Sequence, residues 1–389
     1  MKRYDLLTPE GTRDLLFEEC IARRKVEEKL HKLFGGYGYS EVITPGIEFY
    51  DVFYSKKRYL SPENMYKLTD SNGRLIVIRP DSTLPIARLV GTRLKGERLP
   101  LKLYYSQNIF RVNPKNSGRD DEITQSGIEI IGGETYFSDF EALSLASEVL
   151  KSVDVSDFHI EIGDCGFFKD LIGELGLSRG YSEDIRVLIE SKNYPELERA
   201  LKPYESVKAS KALTELPKLF GGREVFDKAR EIFFVNKKLS DLLDGLNLLY
   251  DNLADLYGEK FVGVDLGMVN KINYYTGILF RGYVEGFGTP IISGGRYDTL
   301  LSDYGENLSA IGFAVNVNSA AKILLSKTSF KQNPDVLLFC ETKNMKDCIS
   351  RANELIAKGH TIELSLYGDI EEAREYVKSK GIGRLEVIK

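Results

Sequence analysis

Lys67-Leu68-Thr69-Asp70-Ser71-Asn72-Gly73-Arg74-Leu75-Ile76-Val77-Ile78-Arg79 is the stretch that decides the fold. Two short apolar runs flank Asn72-Gly73, a dipeptide that tolerates positive φ and so closes a tight antiparallel hairpin. A second pair of strand patterns follows at residues 101–110 and 122–131, around a polar loop. Upstream, Leu16, Cys20, Val26, Leu30, Leu33 and Phe34 recur at helical spacing over residues 15–34, and Gly35-Gly36-Tyr37-Gly38 stops that helix. Residues 39–43 then read as a strand that ends at Thr44-Pro45. Sequential hairpins with separate helices predict an α+β fold with an antiparallel sheet, not a doubly wound one.

Downstream, strand patterns vanish between residues 166 and 256, and leucines recur at helical spacing among charges (Leu197, Leu201; Leu239, Leu242, Leu246, Leu249). Strands resume at Val262-Gly263-Val264-Asp265, run from Tyr274 to Tyr283, and return at residues 291–293. A helix over 319–325 and a polar linker over 326–334 follow. The last segment alternates strand, helix, strand, helix, strand, the pattern of a small parallel α/β unit. The predicted organisation is a core formed by residues 1–165 and 257–326, split by a helical insertion at 166–256, with an α/β unit at 334–389.

The chain has 389 residues, 42% hydrophobic and 29% charged, a globular balance that calls for more than one domain. No apolar run approaches the ~20 residues of a membrane span, and Met-Lys-Arg-Tyr-Asp at the start lacks a secretory core. Four scattered cysteines without a C-x-x-C pair exclude a zinc or disulfide framework and point to a reducing cytoplasm. His31, His159 and His360 stand alone, so no metal is expected, and neither a P-loop nor a dinucleotide-binding glycine pattern implies a cofactor. A net charge of −5 argues against a broad nucleic-acid footprint.

Several fragments in order resemble histidyl-tRNA synthetase, a class II aminoacyl-tRNA synthetase, over most of residues 1–325. They are Thr8-Pro9-Glu10-Gly11-Thr12-Arg13-Asp14, Arg79-Pro80-Asp81-Ser82-Thr83, Phe110-Arg111 with Gly118-Arg119, Gln125-Ser126-Gly127-Ile128-Glu129, Tyr274-Tyr275, Ser293-Gly294-Gly295-Arg296-Tyr297-Asp298 and Ile311-Gly312-Phe313-Ala314. The resemblance implies a class II antiparallel sheet flanked by helices. It also implies an amino-acid pocket formed by Asp81, Thr83, Arg111, Gln125, Glu129, Tyr274 and Tyr275. The residue types suit histidine: Asp81 and Glu129 can neutralise an ammonium, with Gln125 donating or accepting beside them. Tyr274 and Tyr275 offer hydroxyls and flat faces to an imidazole, and Arg111 can meet a carboxylate or phosphate bidentately. The bland alternatives are a structural carboxylate pair at Asp81 and Glu129, and one tyrosine of two that merely packs because neighbours on a strand face opposite ways. Gly294 to Asp298 reads more readily as a turn that holds the fold, and Arg79 as structural.

Departures from the family concentrate on its chemistry. Where the synthetase strand reads R-G-L-D-Y-Y, this chain has Asn270-Lys271-Ile272-Asn273-Tyr274-Tyr275. Where the second motif reads F-R-H-E-R-P, Asn113 takes the place of a nucleotide-side carboxylate. Where the third reads G-F-A-x-G-x-E-R, Asn318 and Ser319 replace the acid and the arginine. An amide or hydroxyl cannot balance charge growing on a phosphoryl group as a guanidinium does. The only substitutes near in sequence are Lys271 and Lys322.

A synthetase core with degenerate positions at Asn113, Asn270 and Ser319 resembles the family of regulatory subunits of ATP phosphoribosyltransferase, paralogous to histidyl-tRNA synthetase. That resemblance implies a non-catalytic partner of the short catalytic subunit in the first step of histidine biosynthesis. It further implies a dimer within a hetero-octamer, with its contact around Gly38 to Pro45, and histidine as feedback effector. The alternatives are a divergent histidyl-tRNA synthetase and an RNA-binding domain. A C-terminal unit of residues 334–389, against the synthetase's anticodon-binding domain of about one hundred residues, argues against tRNA as a partner.

Overall fold

The computed structural model describes residues 3–54, 60–114, 118–153, 157–233, 236–269, 274–330 and 333–389. They form two compact units, one of residues 1–15 and 22–327, the other of 16–21 and 328–389. Asn270, Lys271, Ile272 and Asn273 lie outside the described residues.

The strands of the larger unit are β1 (Ser40–Glu41), β2 (Ile47–Phe49), β3 (Lys67–Thr69), β4 (Leu75–Ile78), β5 (Leu101–Phe110) and β6 (Glu122–Ile131). They continue as β7 (Phe158–Asp164), β8 (Phe220–Gly221), β9 (Val262–Asp265), β10 (Ile278–Val284), β11 (Ile292–Arg296) and β12 (Ala310–Asn316). Its helices begin with α1 (Glu18–Gly36), which belongs to this unit from Ala22 on, α2 (Tyr50–Phe53), α3 (Thr83–Thr92) and α4 (Thr135–Ser152). Between β7 and β9 come α5 (Cys165–Glu174), α6 (Arg179–Glu190), α7 (Tyr194–Leu201), α8 (Lys208–Glu215), α9 (Glu224–Phe233) and α10 (Lys237–Tyr257), and α11 (Val317–Lys327) follows β12.

Nine strands build the main sheet in the order β1-β5-β6-β12-β11-β10-β7-β9-β8. It is antiparallel throughout its centre, with parallel pairs at β1–β5 and β7–β9. The Asn72-Gly73 hairpin forms as its sequence dictates, with Gly73 at φ 79°, and joins β2 in a separate three-stranded antiparallel sheet. Helix α1 turns Ala22, Val26, Leu30 and Phe34 inward, all fully buried, and Phe34 meets Tyr104 of β5 and Phe313 of β12. Alternation with period two on β5 and β6 then leaves the opposite sheet face free to carry Gln125 and Glu129.

Three expectations about strands shift. The strand expected over 39–43 shrinks to Ser40–Glu41, with Val42 still donating to the Tyr104 carbonyl at 2.9 Å. The helical stretch contains one strand after all, since Phe220 and Gly221 pair with Asp265 and Val264. Residues 166–256 belong to the same compact unit as the sheet. The strand read from Tyr274 begins only at Ile278. The Gly277 carbonyl still accepts at 3.1 Å from Cys165 N, the residue opposite it in the β7–β10 register, but the Tyr275 carbonyl accepts from the Lys169 side chain and not from a neighbouring strand.

The smaller unit holds β13 (Val336–Cys340), α12 (Met345–Ala357), β14 (Ile362–Leu364), α13 (Ile370–Lys380) and β15 (Arg384–Ile388). Its sheet is parallel in the order β14-β13-β15. Val336 and Leu338 pack with Cys348, Ala352 and Leu355 of α12, whereas Leu337 and Phe339 pack with Ala373 of α13. The two faces of the central strand therefore carry one helix each. No helix among the described residues is long and apolar enough to cross a membrane.

Candidate functional site

A cavity of about 470 Å³, open mouth included, lies on the face of the main sheet away from α1. Asp81, Thr83, Arg111, Gln125, Glu129, Tyr274 and Tyr275 all line it, so the structure brings every residue of the expected pocket together. Tyr105, Ser293, Tyr297, Gly312, Phe313 and Ala314 complete the wall.

Each side chain has a local cause. Arg79 is held by backbone carbonyls, Nη1 donating to Thr44 and Pro45 at 2.6 and 2.9 Å and Nη2 to Asn108 at 2.7 Å. That clamp is structural, as its sequence suggests, and it fixes the entry of Pro80 and Asp81 into the cavity. Asp81 then opens α3, its Oδ1 accepting from Leu84 N at 3.1 Å. Its Oδ2 accepts from Arg111 Nη2 at 3.3 Å, and Arg111 Nε donates to the Pro80 carbonyl at 2.7 Å. Arg111 is the one cation among the described lining residues, and Asp81 already engages it.

Glu129 is 1% exposed and receives two hydroxyls, Thr83 Oγ1 at 2.8 Å and Tyr297 OH. Burial pushes its carboxyl up to about 8, with nearby Asp81 adding to the rise and the Tyr297 and Thr83 hydroxyls opposing it. Burial also raises Asp81, against the pull of Arg111. Two buried carboxyls facing one guanidinium leave a cavity short of positive charge, suited to a ligand that brings a cation. Gly312 is required by this packing: a Cβ there would stand 1.9 Å from Glu129 Oε2 and 2.3 Å from the Ile128 carbonyl.

Tyr274 and Tyr275 do not alternate across a strand. Both rings line the cavity, 4.8 Å apart and tilted by 54°, and Tyr297 meets Tyr274 edge-on at 5.8 Å. The segment read as a turn from Gly294 is strand as far as Arg296, whose guanidinium is buried against Asp139 at 2.6 Å and Asp298 at 2.9 Å. It holds the fold as expected, but it also delivers Tyr297 to Glu129, a role that the sequence reading misses. Tyr105 is missed too. The available signal was the strand period: Tyr105 pairs with Gly127, between Gln125 and Glu129, so it shares their face.

Asn113, Asn318 and Ser319, the positions where the resemblance expects nucleotide chemistry, make internal hydrogen bonds. Asn113 Nδ2 donates to the Asp120 carbonyl and to Asp121 Oδ1, both at 3.0 Å. Asn318 Oδ1 accepts from Thr124 N at 3.3 Å, and Ser319 N donates to Asn316 Oδ1 at 3.0 Å in the first turn of α11. Lys322 leans toward Asp120 at 3.8 Å and does not line the cavity. Asn270 and Lys271 fall outside the described residues. No group of three His, Cys, Asp or Glu side chains able to hold a metal occurs among the described residues.

The sequence model of a family described as histidyl-tRNA synthetase matches residues 11–320. A protein of Clostridium kluyveri named ATP phosphoribosyltransferase regulatory subunit is 40% identical over the full length of both chains. One of the same name from Bacillus cereus is 36% identical over 98% of this chain and 92% of its own. Among solved structures, an ATP phosphoribosyltransferase regulatory subunit/histidyl-tRNA synthetase from Bacillus halodurans superposes over all of both chains with a TM-score of 0.87 at 27% identity. The histidyl-tRNA synthetase of Nostoc shares the fold, with a TM-score of 0.79 over 97% of this chain and 90% of its own, at 18% identity. With a class II sheet, a family model over residues 11–320 and full-length relatives of one name, the chain belongs to the ATP phosphoribosyltransferase regulatory subunit family, on the histidyl-tRNA synthetase fold.

Proposed function

We propose that this chain is a non-catalytic regulatory subunit of ATP phosphoribosyltransferase in histidine biosynthesis. In this reading the short catalytic subunit requires it for activity, and free histidine seats in the cavity between Asp81, Glu129 and the tyrosines as feedback effector. The observation that carries the reading is the contrast within one site. The amino-acid side keeps its carboxyls, hydroxyls and Arg111, whereas the Asn113 amide is spent on neighbouring backbone and Asp121. Adenylate formation depends on oriented positive charge, and loss of one such donor costs ~10²–10³ in rate. A chain that can hold histidine without activating it can still report its concentration, provided that histidine favours one state of the assembly over another.

Assembly with the catalytic subunit, and a dimer of this chain within a hetero-octamer, belong to the same proposal. Ile43, 78% exposed beside the edge strand β1, supports the segment from Gly38 to Pro45 as a contact between copies. The test mixes the purified chain with the short catalytic subunit and follows product formation from ATP and phosphoribosyl pyrophosphate. Activity that rises with added chain and falls with histidine is expected. Activity independent of the chain would reject the proposal.

A further inference from the structure

Helix α5 starts at the cavity wall and ends in the helical segment, and its contacts at the two places differ in kind. At the wall, Cys165 N donates to the Gly277 carbonyl at 3.1 Å and Lys169 Nζ donates to the Tyr275 carbonyl. The opposite side of the same short segment is tied to the sheet: Thr276 N donates to the Arg296 carbonyl at 2.7 Å. The Tyr275 ring packs on Cys165, Met268 and Leu279 and lines the cavity. The residue after Lys169 faces elsewhere. Asp170 accepts from Asn236 Nδ2 at 2.9 Å and from Lys238 Nζ, both at the start of α10. Asn236 caps that helix through Leu239 N at 3.2 Å and also donates to Glu174 Oε1 at 2.8 Å. Phe167 of α5 stacks on Phe233 of α9 at 5.5 Å.

We propose that Lys169 is a positioning residue that couples occupancy of the cavity to helices α5 and α10. The claim rests on the reading that the cavity takes histidine. A ligand that contacts the Tyr275 ring restricts the backbone of residues 274–277. Lys169 holds one carbonyl of that backbone to α5, and Asp170 ties α5 to the α10 cap. Lys169 makes the cavity-side step of this link through an exposed side chain, whose loss removes one charge-assisted hydrogen bond and leaves the apolar packing of Phe167, Cys165 and Met268 in place. The helical segment thereby becomes an element that responds to the ligand, beyond its role in covering the sheet.

The test is amide hydrogen exchange on the full chain with and without histidine, in wild type, Lys169→Met, Lys169→Arg and Asp170→Asn, with histidine affinity measured calorimetrically. In wild type and Lys169→Arg, histidine is expected to protect residues 274–277, α5 and the first turn of α10. In Lys169→Met protection should stop at the cavity wall, with affinity lowered about three- to tenfold, the size of one net hydrogen bond. In Asp170→Asn it should reach α5 and miss α10. Equal protection of α5 and α10 in wild type and Lys169→Met, or none in wild type although histidine binds, would overturn the inference alone. Absence of any histidine binding would remove the parent reading and this inference with it. A Lys169→Met protein that fails to fold leaves Asp170→Asn to decide, because full protection of α10 in that variant overturns the coupling.

Discussion

Glu129→Gln should uncouple the stability of this chain from pH and its cavity from cationic ligands. The unperturbed carboxyl titrates near 4.5, and burial with Asp81 beside it lifts the folded value to about 8. Between those values the folded chain holds a proton that the unfolded chain has released. Stability therefore falls as pH rises, by at most about 1.4 kcal/mol per unit. From pH 4.5 to 7.5 that amounts to at most roughly 4 kcal/mol, a large share of the 5–15 kcal/mol typical of a domain. Glutamine keeps the shape, still accepts from one of the Thr83 and Tyr297 hydroxyls, and has no proton to lose. Urea unfolding at a series of pH values should show wild type losing stability relative to the variant across this window. A ligand cation reverses the preference at Glu129 and favours the ionised form. Histidine binding below pH 8 should then release up to one proton, seen as a dependence of binding heat on buffer ionisation. In Glu129→Gln that release should vanish and affinity should fall by about 10–100-fold, the loss of a hydrogen bond to a charged group. Parallel stability profiles for the two proteins, or equal proton release, would refute the reasoning.

Tyr297→Phe removes one donor to Glu129 and should weaken histidine binding by about tenfold at a stability cost near 1 kcal/mol, checked by calorimetry and urea midpoints. Gly312→Ala places a Cβ inside contact distance of Glu129 and Ile128, so thermal unfolding should show a loss of about 1–3 kcal/mol or more. Asp139→Asn strips the buried Arg296 of its main partner and should cost about 3–5 kcal/mol, read from chemical unfolding.

Local chemistry announced most of the fold. Asn72-Gly73 fixed one hairpin, the runs of β5 and β6 fixed another to the residue, and leucine spacing marked α7 and α10 within a stretch read as helical. What was not legible depends on partners distant in sequence. Tyr275 looks like strand until the Lys169 side chain of α5 takes its carbonyl, a partner that no local pattern contains. Phe220 and Gly221 become a strand only because β9 lies alongside. Within the cavity, the residues carried by motifs converge, whereas Tyr297 hid inside a glycine-rich segment that reads as a turn. The glycines there serve close approach: a Cβ at Gly294 would stand 2.5 Å from Phe313 Cβ. That need arises from sheet packing and not from chain reversal.

The central claim is that this cavity holds histidine but cannot activate it. Equilibrium dialysis of labelled histidine and histidine-dependent ATP–pyrophosphate exchange, run on one preparation, test both halves together. Saturable histidine binding that is weakened by Glu129→Gln, with exchange at the level of a blank, is the predicted result. Robust exchange that is abolished by Arg111→Ala would contradict it.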